Sequence, residues 1–512
     1  MGAQKPMRHD AMPASGQRIA LIASVACSLV AAAGHAAQTD VTFNASLTET
    51  VTDNVGADSR DEESRFVTSA SAGASANLKG GFTSGNVGLQ ATSQFHHSDH
   101  ERDTSYVTGS AQGNSELVRD VLFLDVGGSI RRTDASVFGL RSVDEAVDTG
   151  NRATVRNYYA MPSVRFRLGS HAQASASYRW NWSSGSGVIN GTRLEESGNL
   201  GLGGRLSGAI SWNLTYSRTR TDSNVTNSAS ESKNSRGRVS YAYSRHLTLS
   251  LTGGYEENNY RDGQEQSYYT RGAGFDWTLS PRTRFSAFVE KRFFGTGYSY
   301  SLSYGRPLSS VQITYSRDVS SIDSLSLLSL EDIAFREFFL GLASAIPDPV
   351  QREAQARALA GSIPNGSTTF TTILSERYAV SRRFSLAGTL IGARNSLSLA
   401  LSRVDSERIG TPLGLSANDP LASFSRIVTS TAALSLSHSL SGKSNLALGL
   451  NFSEAEGQGD ADASTRSSAL TCSYRTRLGP SSNASLTVRR QRSTGDSEFT
   501  EHALIGSVST NF

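Results

Sequence analysis

Apolar and polar residues alternate one for one along most of the chain. Val41, Phe43, Ala45 and Leu47 interleave with Thr42, Asn44, Ser46 and Thr48. Ala172, Ala174, Ala176, Tyr178, Trp180 and Trp182 interleave with Gln173, Ser175, Ser177, Arg179 and Asn181. The same period runs through Leu247, Leu249 and Leu251, through Leu397, Leu399 and Leu401, and through Leu446, Leu448, Leu450 and Phe452. In an extended strand this spacing puts apolar side chains on one face and polar ones on the other. A soluble sandwich or propeller would bury the apolar face. A transmembrane barrel turns it to lipid and keeps the polar face in an aqueous lumen. Here the polar face is Ser, Thr, Asn and Arg with little Lys or Glu, and the apolar face often ends in aromatics such as Tyr241 and Tyr243 or Tyr298, Tyr300 and Tyr304. Both features favour the barrel, whose apolar band is bordered by aromatic girdles.

The connections point the same way. Short turns at 79–81, 169–170, 280–282, 441–443 and 479–481 alternate with longer polar loops such as 54–64, 132–152, 221–234, 257–266 and 407–423. Outer-membrane barrels have this asymmetry, with the short turns periplasmic. The segments predict an all-β transmembrane antiparallel β-barrel of about 22 strands, within roughly 18 to 24. It spans residues 37–512, with both mature termini periplasmic. Leu504, Val508 and Phe512 share one face of the last strand, the pattern expected of a barrel-assembly signal. One connection, 319–378, breaks the period: 331–342 and 348–360 read as two short helices, the second with Asp348 as N-cap and Pro349 at its first position. This helical insertion in one long extracellular loop is expected to fold over or into the pore mouth, or to stay at the surface.

Residues 1–36 read as a cleaved signal peptide. Lys5, Arg8 and Arg18 precede the apolar stretch 19–33, and Gly34 and Ala36 suit a cut after Ala36. Composition adds exclusions. The chain carries 49 Lys and Arg against 46 Asp and Glu, and a net charge of +3 is far from the concentrated basic surface of a nucleic-acid binder. Lysine is confined to Lys5, Lys79, Lys233, Lys291 and Lys443, so the basic residues are nearly all arginine. Removal of Cys27 with the leader leaves Cys472 alone, which rules out an intramolecular disulfide and a multi-cysteine zinc site.

Three segments resemble a known family. The stretch 48–56 (TETVTDNVG), the stretch 274–320 (GFDWTLSPRTRFSAFVEKRFFGTGYSYSLSYGRPLSSVQITYSRDVS) and the stretch 384–403 (FSLAGTLIGARNSLSLALSR) are similar to the outer-membrane proteins associated with PEP-CTERM/exosortase systems. The resemblance implies an outer-membrane barrel accompanying exopolysaccharide biosynthesis. That family is defined by its barrel sequence and genomic company, so the resemblance implies context more firmly than activity.

The candidate chemistry is sparse. His96, His97 and His100 fall within five residues, a spacing that imidazole ligands to zinc or copper can use, but the stretch reads first as a solvated polar loop and no metal site is assigned. Residues 441–444 (SGKS) lack the first glycine of a phosphate loop and read as a tight turn. No nucleophile–base spacing is recognisable and no cofactor motif is found, so the chain is read as non-enzymatic. By strand parity Arg165, Arg167, Arg179, Arg475, Arg477 and Arg489 point into the lumen, as do Asp276 and Glu290. They could contact carboxylate, phosphate or sugar hydroxyls, or brace one another. The leading expectation is a pore or export conduit for polysaccharide or small solutes. A plugged barrel acting as a surface scaffold or receptor is the alternative, and an enzyme on the barrel rim is a third. The expected partners are outer-membrane lipid or lipopolysaccharide, the barrel-assembly machinery, and polysaccharide with exopolysaccharide-system proteins.

Overall fold

The computed structural model describes residues 38–512 except 61, 98–101, 187–190, 225–228, 262, 307, 321–377, 412–419, 460–461 and 496–497. The expected leader 1–36, the two helices expected within 319–378, and His100 therefore lie outside the described residues. The strands follow one another as β1 (Gln38–Thr52), β2 (Arg65–Lys79), β3 (Thr83–His96), β4 (Thr104–Val118), β5 (Leu122–Asp134), β6 (Arg152–Leu168) and β7 (Ala172–Ser186). Next come β8 (Gly191–Arg205), β9 (Ile210–Ser223), β10 (Ala229–Ala242), β11 (Leu247–Asn258), β12 (Gln266–Ser280), β13 (Thr283–Arg292), β14 (Gly295–Arg306) and β15 (Ser309–Ser320). The rest are β16 (Ala379–Ile391), β17 (Asn395–Arg408), β18 (Phe424–Ser439), β19 (Ser444–Gly459), β20 (Ala463–Arg477), β21 (Ser482–Thr494) and β22 (Phe499–Asn511). A one-turn helix, Pro420–Ser423, precedes β18.

All 22 strands belong to one sheet, and β1 pairs antiparallel with β22, so the sheet closes into a barrel. Closure extends to the terminal residue, because Phe512 and Phe43 exchange backbone hydrogen bonds of 2.8 and 3.2 Å. Leu504, Val508 and Phe512 all lie exposed on the outer face. The two faces follow from the alternation. Asn44, Ser46, Thr48 and Thr50 of β1 line an internal cavity, whereas Phe43 and Leu47 between them are each 53% exposed. Cross-strand register carries this parity round the wall. The short turns close by local hydrogen bonding: the Ser441 hydroxyl accepts from the amides of Lys443 and Ser444 at 3.1 Å, so the SGKS stretch is a hairpin turn.

Several strands run further than their apolar residues. β9 and β10 consume most of the expected loop 221–234, and β19 runs through the polar Ser453 and Glu454 to Gly459. The ladder depends on backbone groups, so pairing continues after outward side chains turn polar. A second departure lies between β4 and β5. Their ladder stops at the pair Gly109–Ile130, although both strands continue four or five residues toward the long-loop end. Beyond it, the β5–β6 hairpin leaves the wall. Arg132 and Arg152, which alternation would turn outward, instead reach Glu145 in the connecting loop, at 2.9 and 3.6 Å.

The lipid-facing reading of the outer surface makes a directional prediction. Leu448 faces outward in the middle of β19, with Leu436 and Cys472 as cross-strand neighbours. Leu448→Arg is expected to destabilise the membrane-inserted barrel by about 2–4 kcal/mol, the cost of an outward arginine at the bilayer midplane. Inward Ser473→Arg should cost clearly less. Denaturant unfolding in bilayers would compare the two.

Candidate functional site: a lumen crossed by an inward loop

The loop 135–151 between β5 and β6 folds across the lumen onto the opposite wall. Asn151 braces it from within. Its side-chain carbonyl accepts from the Ser136 amide at 2.8 Å, and its amide donates to the carbonyls of Ser136 and Leu140 at 2.9 and 3.0 Å. Gly139 makes room for this: a Cβ there would lie 2.5 Å from the Asn151 amide group. At the loop's tip the Ala146 amide donates to Asp144 at 3.0 Å and the Asp144 amide to Ser142 at 3.1 Å. These local bonds replace the ladder the chain has left, as buried backbone requires.

The far wall receives the loop through apolar and polar contacts. Val137 is buried with Ala379, Leu421, Ile427 and Ala455, while Phe138 packs on Phe424 at 4.6 Å between ring centres. Gly457 lies beneath these rings, where a Cβ would come within 2.8 Å of both. Ala146 joins Val55 and Val67, and Val147 joins Ala57 and Phe499. The Thr465 hydroxyl donates to the Phe138 carbonyl at 2.8 Å, and the Gln491 amide to the Ser142 hydroxyl at 3.0 Å.

One arginine holds the centre. Arg489, 3% exposed on the inner face of β21, grips Glu501 of β22 through two bonds of 2.7 and 3.1 Å. It also donates to Asp144 of the loop at 2.6 Å. Glu501 is fully buried and accepts a third bond, from Thr52 of β1 at 2.9 Å. Burial alone would raise the Asp144 carboxyl, but the adjacent Arg489 guanidinium outweighs it and holds this group below the ordinary carboxylate range. Arg489 thus ties the loop to the place where the barrel closes.

Beneath the loop lies a polar cavity of about 730 Å³, walled by β1–β4 and β18–β22 and roofed by Val143, Asp144 and Glu145. Its wall is largely hydroxyl and amide, as at Ser46, Thr92, Asn451, Ser473 and Ser507. The charged side chains lining it are Asp144, Glu145, Arg475 and Arg489, two acids and two bases, so it carries no net charge. Such a surface offers many weak hydrogen bonds and no deep electrostatic trap.

The residues singled out from sequence are distributed unevenly. Arg475 and Arg489 line the cavity. Glu290 lies elsewhere on the inner wall, 2.7 Å from Arg236 and 4.0 Å from Arg292, which itself binds Glu256 at 2.7 Å. Arg165 and Arg179 stack over Phe123 and Tyr159 at 4.7 and 4.2 Å. Arg167, Asp276 and Arg477 are exposed and stand apart from one another. His96 is buried inward while His97 is exposed and meets the Thr68 hydroxyl at 2.7 Å, so the two rings point to opposite faces. His502 has a partner that its position in sequence did not disclose: Asp53, at 2.8 Å. Sequence reasoning placed 132–152 among the outer loops and missed its role. The available signal was its apolar content, Val137, Phe138, Leu140, Val143, Ala146 and Val147, unusual for a solvated loop.

Two predictions follow from the clamp. Asp144→Asn should release the loop while leaving the Arg489–Glu501 pair intact, costing about 1–3 kcal/mol. Arg489→Ala should cost more, about 3–5 kcal/mol, because Glu501 stays buried without its counter-charge. Denaturant unfolding of both variants measures the difference. The loop should also respond to acid. A carboxyl whose folded value is depressed contributes stability that is complete above its unfolded value and is lost as pH falls toward the folded one. Docking should therefore hold at neutral pH, weaken below about pH 4, and fail only in stronger acid. Labelling of a cysteine placed at Val143, in a Cys472→Ser background, would follow it.

No family model and no curated protein matches the chain. Among solved structures, the FrpB iron transporter from Neisseria meningitidis (F3-3 variant) aligns over 92% of this chain and 82% of its own, at 10% identity and a TM-score of 0.48. The siderophore receptor PirA from Acinetobacter baumannii aligns over 93% and 81%, at 6% identity and a TM-score of 0.48. OccK8 (OprE) from Pseudomonas aeruginosa aligns over 93% and 98%, at 10% identity and a TM-score of 0.33. The assignment of this chain as a closed 22-stranded barrel rests on its own strand order and register.

Proposed function

We propose that the chain is an integral outer-membrane pore that passes hydrated, weakly charged solutes, a polysaccharide chain among them. The observation that carries this reading is the charge-balanced, hydroxyl-rich cavity beneath an inward loop. Twenty-two strands at a spacing of about 4.8 Å and a tilt of about 40° enclose a barrel roughly 40 Å across, too wide for side chains to fill. The loop narrows this space, and a glycan sliding past Ser, Thr and Asn exchanges one weak hydrogen bond for another without arrest. The outward apolar band supports a membrane position, with the leader 1–36 directing export, the short turns and both termini periplasmic, and assembly guided by the last strand. The resemblance of 274–320 and 384–403 supports a role beside an exopolysaccharide and PEP-CTERM surface system, with no chemistry of its own.

A second reading, a plugged barrel serving as scaffold or receptor, is favoured by the strength of the Arg489 clamp. Planar-bilayer recording separates the two. The wild-type barrel is expected to conduct with weak selectivity between cations and anions, and Asp144→Asn to conduct more. A barrel that stays closed in both forms would overturn the pore reading. Deletion of the gene followed by assay of surface polysaccharide tests the biological role.

A further inference from the structure

The outer wall carries a second feature that the lumen does not explain. Arg271 of β12 and Lys291 of β13 are direct cross-strand partners. Register places both on the outward face: their inward neighbours Gly272 and Glu290 pair with each other, and Glu290 is held by the inward Arg236. Both are exposed, and neither forms a hydrogen bond or ion pair with any described residue. Like charges directly opposite one another destabilise a sheet. Other outward cations have partners: Lys233 of β10 meets Glu257 and Glu265 at 2.5 and 2.9 Å, Arg317 of β15 donates to the Thr296 and Phe294 carbonyls, and Arg426, farther round the wall on β18, meets Asp405 through two bonds of 2.7 Å. An uncompensated pair of cations therefore stands out against its surroundings.

The position of the pair identifies its environment. Toward the short turns the outward face becomes apolar, with Phe275 and Trp277 on β12 and Phe285 and Val289 on β13. Toward the long loops stands Tyr269, 86% exposed. Tyr298, Tyr300 and Tyr315 form an aromatic cluster on the outward face of β14 and β15, with Tyr298 opposite Val289 and the Tyr298 and Tyr315 hydroxyls 2.8 Å apart. Tyrosines of this kind mark the boundary between hydrocarbon and headgroups. A cation costs about 2–4 kcal/mol at the bilayer midplane and little at the boundary, which fixes the pair at headgroup depth.

The surface around the pair is open to a ligand. Gly253 of β11 lies directly beside Arg271, and a Cβ there would meet nothing within 4 Å. Thr296 of β14 lies beside Lys291 and offers a hydroxyl. Arg317 of β15 adds a third cation nearby; one of its nitrogens donates to the Thr296 carbonyl at 2.7 Å.

We infer that Arg271 and Lys291 form a binding site for the phosphate group of an anionic lipid headgroup, most suitably a phosphorylated glycolipid, in the leaflet at the long-loop end. The inference rests on the membrane reading above. A phosphate bridging the two side chains replaces cross-strand repulsion by two charge-assisted bonds, and the lipid's acyl chains lie on Phe275, Trp277 and Val289. The bound lipid then completes the barrel's outer wall where the sequence leaves positive charge unpaired.

The test uses the full-length barrel inserted in vesicles of neutral phosphatidylcholine, alone or doped with a phosphorylated glucosamine-based lipid. Lipid retained after detergent extraction is counted by native mass spectrometry. The wild type is expected to retain the phosphorylated lipid selectively. Arg271→Gln/Lys291→Gln should bind it about thirtyfold more weakly, taking each surface cation at its usual strength toward anionic lipid. Inward Arg167→Gln should bind as wild type. Lys291→Glu supplies a second readout: it should be at least as stable as wild type in neutral detergent, where it pairs with Arg271, yet lose the lipid. Equal retention by wild type and the double variant, or equal retention of neutral and phosphorylated lipid, would overturn the site. Displacement of the lipid by millimolar inorganic phosphate would assign the site to a free anion and overturn the lipid commitment. Failure of the wild type to insert at all would overturn the membrane reading itself, and the site with it.

Discussion

Every backbone N–H and C=O that crosses hydrocarbon must find a partner within the protein, because the lipid offers none. A sheet meets this demand only by closing on itself. The pairing of β1 with β22 is therefore the contact on which the architecture depends, and it runs from Asn44–Asn511 to Thr52–Ala503 with Phe43 and Phe512 added at the end. Once the sheet is closed, the usual arrangement of a folded protein is inverted. Leucines such as Leu448 and Leu450 face outward, while Ser and Thr line the interior. Among the described residues the clusters of buried apolar side chains are small, and three of four include residues of the inward loop.

Closure also creates a space that 22 strands cannot fill with side chains. The chain narrows it by sacrificing part of the β4–β5 ladder and sending the β5–β6 connection inward. That departure is stable because Asn151 restores the loop's own backbone bonding and because Arg489 satisfies two carboxylates at once. Glu501 and Asp144 are unequal partners. The first is sealed within the wall, whereas the second is reachable from the cavity. The Asp144–Arg489 bond is one of several contacts that hold the loop, beside the packing of Val137, Phe138, Ala146 and Val147.

Arginine serves several distinct ends in this wall. Arg236 and Arg292 pair with Glu290 and Glu256 and brace the inner face. Arg165 and Arg179 sit over inward aromatic rings, where the guanidinium meets a π-face in place of a carboxylate. Arg271, opposite Lys291, looks outward with neither support among the described residues. These uses are indistinguishable in composition. Parity separates inward from outward, and only the neighbours across the ladder separate bracing from stacking and both from an unpaired charge.

The strand architecture was legible because its information is local. A period of two states which side chains share a face, turn chemistry states where a strand reverses, and the asymmetry of connections states that the sheet is a barrel; the 22 strands follow. Parity likewise put Arg475 and Arg489 on the cavity side. What the sequence withheld is set by contacts between residues far apart in the chain. Asp144 and Arg489 are separated by 345 positions and Ser142 and Gln491 by 349. No local pattern encodes such a meeting, since it depends on the diameter of the closed sheet and the height at which each strand crosses it. The apolar residues of 135–151 signalled burial without naming what would cover them. The tertiary structure alone decided that this loop enters the lumen and that Arg489 meets it there, because both follow from register round a closed wall.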